Sequence, residues 1–421
     1  MKLSSIADAV AELQKYIPQV ATYSGDDMTL DRMWPLLDAV GNPQEKLKII
    51  HVAGTSGKTS TSYYISMILA SSGKKVGLTV SPHIDSITER IQIDNEPLNE
   101  DTFCLELGIF LGLITNILPK PSYFELLVAF IYWEFERQGV DYAVIETGMG
   151  GLLDGTNVAV RPDKVCVITD IGYDHMHILG NSLPEIASQK AGIIHDQNVA
   201  FMYEQSEEIM KEIIDRTIEK NAKINPLKYK ELLAINYTPI ETLPEFQKRN
   251  LLLSQQVCSY IARRDEFKLN KNYDPRLVRV PARMETVTLN DNTIIIMDGA
   301  HNGQKMHSFV ESFKALYPNQ KAIVMLALKK GKEYKEVIDE IYPIIETIIL
   351  TTFNTSQDLP AVSQDTNKIK TYCMTKNIKV KIIDNHVEAT QYLLNQKNGI
   401  KIITGSFYLI GQVREHIQDV L

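Results

Sequence analysis

The feature that most constrains the fold is a glycine-containing loop that joins the apolar run 48–53 to a helical pattern. The loop and the first helical residues are Gly54, Thr55, Ser56, Gly57, Lys58, Thr59 and Ser60. Glycines allow backbone N–H groups to close on phosphate oxygens, and the start of a helix adds a favourable field. A strand, such a loop and a helix in this order are typical of a phosphate loop. We therefore expect an α/β domain in which these residues bind a nucleoside triphosphate.

The loop is a short GxxGK[ST] variant of the motif, because Val52 occupies the position of the first glycine in the longer form. In this pattern Lys58 would contact the β- and γ-phosphates of ATP, and the Thr59 hydroxyl would be a ligand of Mg²⁺. The alternative is a glycine-rich turn between a strand and a helix, with no ligand.

Short apolar runs alternate with helical patterns through the first half of the chain. The predicted strands are residues 48–53, 75–80, 141–146, 164–169 and 198–202. Predicted helices begin at Gly57, Ser122 and Pro184, and Ser122 with Glu125 has the spacing of a capping box. Strands separated by helices imply parallel pairing, with helices on both faces of the sheet.

The alternating pattern restarts after Pro281 and Arg283. The second set of predicted strands is 294–297, 322–326, 347–350, 380–383 and 401–404. We therefore predict an ATP-binding domain with a parallel sheet over residues 1–280. A smaller, doubly wound Rossmann-like α/β domain is predicted over residues 284–421.

Length and composition limit the class of protein. A chain of 421 residues exceeds the usual size of one hydrophobic core, which agrees with two domains. The net charge of -8 argues against binding to nucleic acid or a membrane surface, whereas small anionic substrates need only a local basic pocket. No apolar run reaches the ~20 residues that span a bilayer, and the four scattered cysteines fit reduced thiols. We expect a cytoplasmic monomer that acts on small molecules.

Further short motifs follow the phosphate loop in a fixed order. They are SPH (81–83), ERI (89–91), ETGMGG (146–151), LDGTN (153–157), DH (174–175), LG (179–180), QKAGI (189–193), PAR (281–283), DGAHN (298–302) and GSFY (405–408). As a set, from about Thr29 to the C-terminus, they resemble the folylpolyglutamate synthase and dihydrofolate synthase family of the Mur-ligase superfamily.

The resemblance implies Mg²⁺ bound by Ser81, Glu146 and His175. Ser81 and Glu146 follow strands expected beside the phosphate loop, at the carboxyl edge where open α/β sheets bind ligands. Carboxylate and hydroxyl oxygens suit Mg²⁺. The alternatives are a helix-capping carboxylate for Glu146 and a structural histidine for His175, since Mg²⁺ prefers oxygen to imidazole.

Lys190 is the third candidate catalytic residue, with Lys58 and His175. The resemblance implies a lysine that carries a carbamate made with CO₂, which would supply an anionic oxygen to a second Mg²⁺. Carbamylation needs a neutral amine and hence a desolvated side chain. The alternative is a lysine that only pairs with a carboxylate.

The resemblance also assigns residues around the nucleotide and the amino acid. Asp298 would contact the ATP ribose, Arg283 the nucleotide phosphates and Asn250 the adenine. His301 and Ser406 would line the glutamate site. Asp298 and His301 could instead be ordinary turn residues.

Two loops are the predicted walls of a pterin site, residues 25–28 and 150–157, with Asp154 as the polar contact to the ring. Turn-forming Gly and Asp could explain both loops without a ligand. The chain departs from the commonest family pattern at five positions: Ser56 for Asn, Leu152 for Arg, Gln189 for Glu, Ala282 for Gly and Gly303 for Pro. Leu152 removes a cation beside the presumed acid, which leaves the identity of that acid open.

The function that these observations predict is an ATP-dependent ligase that joins L-glutamate to a folate-type carboxylate through an acyl phosphate. Dihydrofolate synthase activity is a further possibility within the same reaction type. The alternatives are a Mur-type ligase with another acid and amino acid, a nucleotide-driven switch or transport ATPase, and a binding protein with an inactive site.

Overall fold

A computed structural model describes residues 1–17, 28–233, 240, 243–355, 357, 361–396 and 399–418. The chain divides into two compact units. The first unit comprises Met1–Glu241 and Gln247–Val278, and the second comprises Thr242–Phe246 and Arg279–Leu421. The predicted loop at 25–28 falls at positions 25–27 outside the described residues.

The first unit is built on one mixed sheet. Its strands are β1 Ile49–Ala53, β2 Val76–Thr79, β3 Gln92–Ile93, β4 Glu96–Pro97, β5 Tyr142–Glu146, β6 Val165–Ile168, β7 Val199–Tyr203 and β8 Lys223–Leu227. Their order across the sheet is β4-β3-β2-β5-β1-β6-β7-β8. All five residues of β1 are buried, as expected for a central strand. Because β5 and β6 flank β1, the strand order switches direction at β1, where ligands usually bind in open α/β sheets.

Helices cover the faces of this sheet. They are α1 Ile6–Gln14, α2 Met33–Ala39, α3 Lys58–Ser71, α4 Glu100–Leu113, α5 Tyr123–Gln138, α6 Met176–Leu179, α7 Leu183–Ala191, α8 Glu207–Glu219, α9 Tyr229–Leu233 and α10 Glu245–Arg264. The predicted start of α5 is confirmed: Ser122 Oγ accepts from the Glu125 amide at 3.4 Å, and the Glu125 carboxylate accepts from the Ser122 amide at 2.7 Å. Aromatic rings fill the core between α4 and α5, with Phe103 edge-on to Phe130 at 5.6 Å.

The second unit has its own sheet, in the order β15-β12-β11-β16-β10-β9. Its elements are β9 Glu285–Thr288, β10 Ile294–Asp298, α11 Gly303–Leu316, β11 Ala322–Leu326, α12 Tyr334–Ile341, β12 Ile345–Leu350, β13 Asn354–Thr355, β14 Ala361–Val362, α13 Thr366–Thr375, β15 Val380–Ile382, α14 His386–Leu394, β16 Ile400–Thr404 and α15 Phe407–Gln418. Strands β13 and β14 form a separate two-stranded ribbon.

The predicted α/β class is confirmed, with one correction to the strand pairing. The sheets are mixed rather than parallel throughout: the predicted strands pair parallel with one another, but β3, β4 and β9, which were not predicted, pair antiparallel at the sheet edges. Short turns join β3 to β4 and β9 to β10, which suits antiparallel pairing, whereas a longer segment with the 3-10 helix Ile87–Arg90 leads from β2 to β3. In the part of the chain that the structure describes, no helix is long and apolar enough to cross a membrane.

Candidate active site

The phosphate loop lies at the carboxyl end of β1, and its glycines sit where no side chain would fit. Gly54 has φ 151°, and a Cβ there would lie 1.9 Å from Thr169 Oγ1. Gly57 has φ 92°, and a Cβ there would lie 2.6 Å from Asn250 Oδ1. Asn250, 5% exposed on α10, therefore contacts the loop itself. The loop is held open by backbone conformations and contacts that only glycine permits.

Two of the loop amides are occupied by the protein. The N–H groups of Thr55 and Ser56 donate to the carbonyl of Asp170 at 2.8 and 3.1 Å. The amides available to a phosphate are therefore those at the start of α3, which have no acceptor within the helix. Ser56 Oγ is buried and has no hydrogen-bond partner among the described residues. These features fit a bound polyphosphate, because they leave the amides at the start of α3 and the Ser56 hydroxyl as donors.

Two lysines converge on one carbonyl of the loop. Lys58 Nζ donates to Gly54 O at 3.1 Å, and Lys190 Nζ donates to the same oxygen at 3.0 Å. Lys190 lies near the end of α7 and is only 3% exposed. The structure thus brings two predicted catalytic residues from separate helices to one point beside the phosphate loop.

Glu146 ends β5 and faces the same loop. It is 3% exposed, accepts from Thr59 Oγ1 at 2.9 Å, and accepts from the Ser81 backbone amide at 3.3 Å. A carboxylate beside two hydroxyl-bearing residues fits the oxygen ligands that Mg²⁺ requires. Three residues predicted from different parts of the sequence are therefore brought together.

His175, the third predicted magnesium ligand, has a different setting. It precedes α6 in a left-handed conformation, its side chain is 44% exposed, and its Nε2 lies 3.8 Å from Asp174 Oδ1. Over the described ranges, no group of three His, Cys, Asp or Glu side chains is arranged to hold a metal ion. The role of His175 therefore stays a prediction.

Asp154 organises its own loop. Its carboxylate accepts from the amides of Met149 at 2.7 Å and Thr156 at 3.0 Å, and from the Thr156 hydroxyl at 2.5 Å. Burial raises the pKa of this carboxyl above its ordinary value, although the amide donors oppose the shift. At 2% exposure, Asp154 has the contacts of a turn residue, and its contact with a substrate ring stays a prediction.

The second unit collects its predicted residues at the carboxyl ends of β10 and β16. Asp298 ends β10 and accepts from the amides of Met284 at 2.8 Å and Ala300 at 2.9 Å. Burial raises the pKa of Asp298 to about 6, while the nearby Arg283 opposes the shift. This carboxyl therefore holds the turn that carries Arg283.

Phe407, the first residue of α15, is the centre of this group. The Arg283 guanidinium lies 4.3 Å above its ring, and the His301 ring meets it edge-on at 5.7 Å. A Cβ on Gly299 would lie 1.8 Å from the same ring. Ser406 precedes Phe407, is 5% exposed, and accepts from the Tyr408 amide at 3.1 Å. Arg283, His301 and Ser406 are thus assembled around one aromatic side chain.

Comparisons with known proteins identify the family of this chain. The Mur ligase middle domain model matches residues 121–235, and the dihydrofolate synthetase C-terminal domain model matches residues 283–416. The dihydrofolate synthetase of Saccharomyces cerevisiae is 30% identical over 427 residues, covering 92% of this chain and 97% of that protein. This chain belongs to the folylpolyglutamate synthase and dihydrofolate synthase family. It is therefore an ATP-dependent ligase of the folylpolyglutamate synthase and dihydrofolate synthase type.

Other members of the family extend the comparison. The dihydrofolate synthase/folylpolyglutamate synthase of Bacillus subtilis is 28% identical over 431 residues, covering 92% of this chain and 95% of that protein. The fold is similar to that of a Mycobacterium tuberculosis folylpolyglutamate synthase complexed with ADP, with a TM-score of 0.81 and 22% identity. That likeness covers 98% of each chain, so the two-unit fold is shared over nearly its whole length.

One departure from the family pattern lies where the 150–157 loop meets α7. The Leu152 amide donates to Gln189 O at 2.7 Å, and a Cβ on Gly192 would lie 2.4 Å from Leu152 Cβ. Asn157 Nδ2 donates to both Leu152 O and Gly192 O. The loop of this family member is thus fixed to the helix that carries Lys190.

Sequence analysis missed two members of these sites. Asp170 holds the phosphate loop through its carbonyl, and its side chain accepts from Arg249 Nη2 at 2.7 Å. Its position immediately after an apolar strand was the available signal. Phe407 lies inside the family motif GSFY, but nothing in the sequence indicates that Arg283 and His301 meet on its ring.

Proposed function

We propose that this enzyme uses ATP to join the amine of L-glutamate to the carboxylate of a folate-type acid. The observation that carries the proposal is the convergence of Lys58 and Lys190 on Gly54 O beside the Glu146–Thr59 pair. A lysine and a carboxylate at the start of a helix, with Lys190 beside them, suit the transfer of a phosphoryl group, which needs positioning and charge stabilisation more than covalent chemistry.

In the first step, the substrate carboxylate oxygen attacks the γ-phosphorus of ATP, and the bond from that phosphorus to the ADP oxygen breaks. Lys58 and the first amides of α3 stabilise the negative charge on the transferring group. Glu146, Thr59 and Ser81 are the residues that would hold Mg²⁺, with His175 as a further ligand. The metal would supply charge neutralisation at the phosphates.

In the second step, the glutamate nitrogen attacks the acyl carbon, loses a proton, and phosphate departs with its bonding electrons. His301 and Ser406 bind the amino acid in this proposal. Asp298 binds the ATP ribose, Arg283 the nucleotide phosphates and Asn250 the adenine. The edge-on contact of His301 with Phe407 supports a fixed orientation of the imidazole.

The acid substrate is assigned from the 150–157 loop. Asp154 and the 150–157 loop are assigned to the pterin, and Leu152 supplies an apolar side chain where the family pattern has a cation. This residue favours a shift in acid preference within the family rather than a different reaction. A division of roles between residues 1–280 and 284–421, a monomeric state and a cytoplasmic location stay predictions.

Measuring phosphate release against a panel of pteroates, folates and amino acids tests the proposal. We expect release only when both an acid and glutamate are present, with one amide formed for each ATP consumed. ATP hydrolysis at the same rate without either substrate would replace the ligase with a switch or transport ATPase. Alanine or serine as the best acceptor would instead identify a ligase for another amino acid.

A further inference from the structure

Arg283 stands between two non-glycine residues with left-handed backbone conformations. Ala282 has φ 53° and Met284 has φ 51°. Such conformations are unfavourable for residues that carry a Cβ, and they persist only where the surrounding structure holds them. Ala282 is fully buried and Met284 is 7% exposed, so the conformation of this turn depends on its protein contacts.

Hydrogen bonds from three directions hold the turn. The Ala282 amide donates to Glu285 Oε2 at 3.0 Å, and the Ala282 carbonyl accepts from the Gly299 amide at 2.9 Å. The Met284 amide donates to Asp298 Oδ2 at 2.8 Å. Of these partners, Gly299 contributes a backbone group and Asp298 is a predicted ribose contact, whereas Glu285 contributes a side chain with no predicted substrate role.

Glu285 is itself held by an ion pair with Arg414. Arg414 Nη2 donates to Glu285 Oε1, and the two side chains are only 14% and 12% exposed. Burying two charges costs desolvation energy, so a buried pair is weak support for stability by itself. The Glu285 carboxylate therefore accepts from Arg414 of α15 through Oε1 and from the Ala282 amide through Oε2.

Helix α15 contributes to the same region a second time. Phe407 and Arg414 are seven residues apart, which is two helical turns, so they lie on the same side of the helix. Phe407 supports the Arg283 guanidinium at 4.3 Å, while Arg414 holds the carboxylate that fixes the backbone before Arg283. One helix thus contacts both the side chain of Arg283 and, through Glu285, its preceding residue.

We propose that Glu285 and Arg414 are positioning residues that hold the Ala282–Met284 turn and thereby keep the Arg283 guanidinium on the Phe407 ring. This inference rests on the proposed function, in which Arg283 contacts the nucleotide phosphates. Without the pair, Ala282 relaxes toward negative φ and the Arg283 guanidinium leaves the Phe407 ring. Glycine at position 282 accepts the left-handed conformation without penalty, so it removes the need for the pair.

The experiment measures kcat and the KM for ATP in the full chain, with acid and glutamate saturating. Glu285→Gln and Arg414→Met should each raise the KM for ATP roughly tenfold through misplacement of Arg283. The double variant should have the same KM for ATP as either single variant, because each substitution removes the same Glu285–Arg414 contact. Adding Ala282→Gly to either variant should return the KM to within about twofold of the parent. Arg414→Gln, which removes the charge but keeps a polar side chain, replaces Arg414→Met if that variant fails to fold.

Two controls separate positioning from general damage. Lys376→Met removes the exposed ion pair of Lys376 with Asp339, 2.6 Å apart in the same unit, and should leave the KM for ATP unchanged. On an Arg283→Gln background, Glu285→Gln should add nothing further to the KM for ATP, since the residue that it positions is already gone.

The outcomes distinguish the two proposals. If Arg283→Gln raises the KM while Glu285→Gln and Arg414→Met do not, Arg283 keeps its role and the positioning inference is wrong. If Arg283→Gln leaves ATP use unchanged, the proposed role of Arg283 fails and the inference fails with it. Additive effects of Glu285→Gln and Arg283→Gln, or no rescue by Ala282→Gly, would show that the ion pair is only structural.

Discussion

The two units build their predicted sites from left-handed backbone in opposite ways. In the first unit, Gly54 and Gly57 occupy the positive-φ positions of the phosphate loop, at 151° and 92°. In the second unit, Ala282 and Met284 occupy such positions on either side of Arg283, at 53° and 51°. The first site has glycines at these positions, which adopt positive φ without strain. The second site has residues with a Cβ, which adopt positive φ only because surrounding contacts hold them.

The reason for the difference is what the backbone must approach. At the phosphate loop, a Cβ at position 54 or 57 would overlap Thr169 or Asn250, so only glycine fits. At the Arg283 turn, side-chain and backbone partners hold the conformation from outside. The phosphate loop therefore keeps its positive-φ backbone through glycine, whereas the Arg283 turn keeps it through contacts with neighbouring residues.

The two sites also differ in how they use charge. The first places two lysines on one carbonyl and a carboxylate on a hydroxyl, so its charges converge on a space beside the loop. The second buries Asp298, whose carboxyl accepts from the amides of Met284 and Ala300, and burial raises its pKa to about 6. We therefore expect substitutions of the charged residues in the first site to affect mainly turnover, and substitutions of those in the second site to affect turnover and stability together.

The largest effect is expected at the convergent charges of the first unit. Lys58→Ala and Glu146→Gln should each raise the barrier to ligation by about 3–4 kcal/mol, since each removes a contact to the phosphates or their metal. Phosphate release measures the loss, and circular dichroism checks folding. Lys211→Ala, an exposed lysine paired with Asp215 on α8, is the matched control and should behave as the parent. Near-parental turnover in either variant would remove that residue from the mechanism.

The second prediction concerns Lys190, which either carries a carbamate or acts only as a cation on Gly54 O. We propose the carbamate, so Lys190→Arg should lose about a hundredfold or more in turnover, because arginine keeps the charge but cannot react with CO₂. Lys190→Ala should regain measurable activity with added acetate or formate, since a small carboxylate can replace the missing oxygen ligand. Full activity in Lys190→Arg would leave Lys190 as a structural cation.

The third prediction tests the glycine requirement of the first unit. Gly57→Ala should lower the free energy of unfolding by on the order of 2–4 kcal/mol, because it adds both backbone strain and overlap with Asn250. Gly73→Ala is the matched control: it has φ 79° but nothing within 4 Å of a new Cβ, so it should lose only the strain. Urea unfolding of both variants checks the difference. Equal losses would mean that the Asn250 contact relaxes freely.

The fourth prediction concerns the buried carboxyl of the second unit. The pKa of Asp298 is about 6 in the folded state against an ordinary value of 3.8, so the folded state binds the proton more tightly. Its contribution to stability is complete below pH 3.8 and is lost as the pH rises through about 6. The parent should therefore lose on the order of 2–3 kcal/mol relative to Asp298→Asn between pH 4 and pH 7.

Urea unfolding of both proteins across this pH range measures the difference. Asp291→Asn is the control: hydrogen bonds with Thr293 lower the pKa of Asp291, so its contribution is lost only as the pH falls below the ordinary value of 3.8, and its difference from the parent should stay constant from pH 4 to pH 7. The prediction fails if the parent and Asp298→Asn keep a constant difference in stability from pH 4 to pH 7.

Much of the fold was predictable, because the buried strands are short apolar runs bounded by turn residues. The predicted strand at 322–326 agrees with β11, and the phosphate-loop strand differs from β1 by one residue. The antiparallel edges were not predictable, since strands of two residues such as β3 and β4 carry no periodicity.

The two sites likewise contain residues that could be predicted from the sequence and residues that could not. Glycine and lysine at the phosphate loop are determined by local chemistry, so the sequence indicates them directly. The Arg283 turn depends on Arg414, more than a hundred residues away in the chain, and its left-handed Ala282 looks like any other alanine. Contacts of that kind become visible only once the sheet of the second unit is assembled.

The smallest effect is expected at the left-handed alanine of the second unit. Ala282→Gly should raise the free energy of unfolding by about 0.5–1 kcal/mol, because glycine adopts φ 53° without strain and this gain exceeds its larger loss of chain entropy. Ala389→Gly, a fully buried alanine in α14 with helical backbone, is the matched control and should lower stability by about 1 kcal/mol. The two substitutions are chemically identical, so opposite signs in urea unfolding would isolate the backbone conformation as the cause. A loss of stability at both positions would mean that the contacts around the Glu285–Arg414 pair already offset the backbone strain at Ala282. The two units would then differ only in the type of residue at their positive-φ positions.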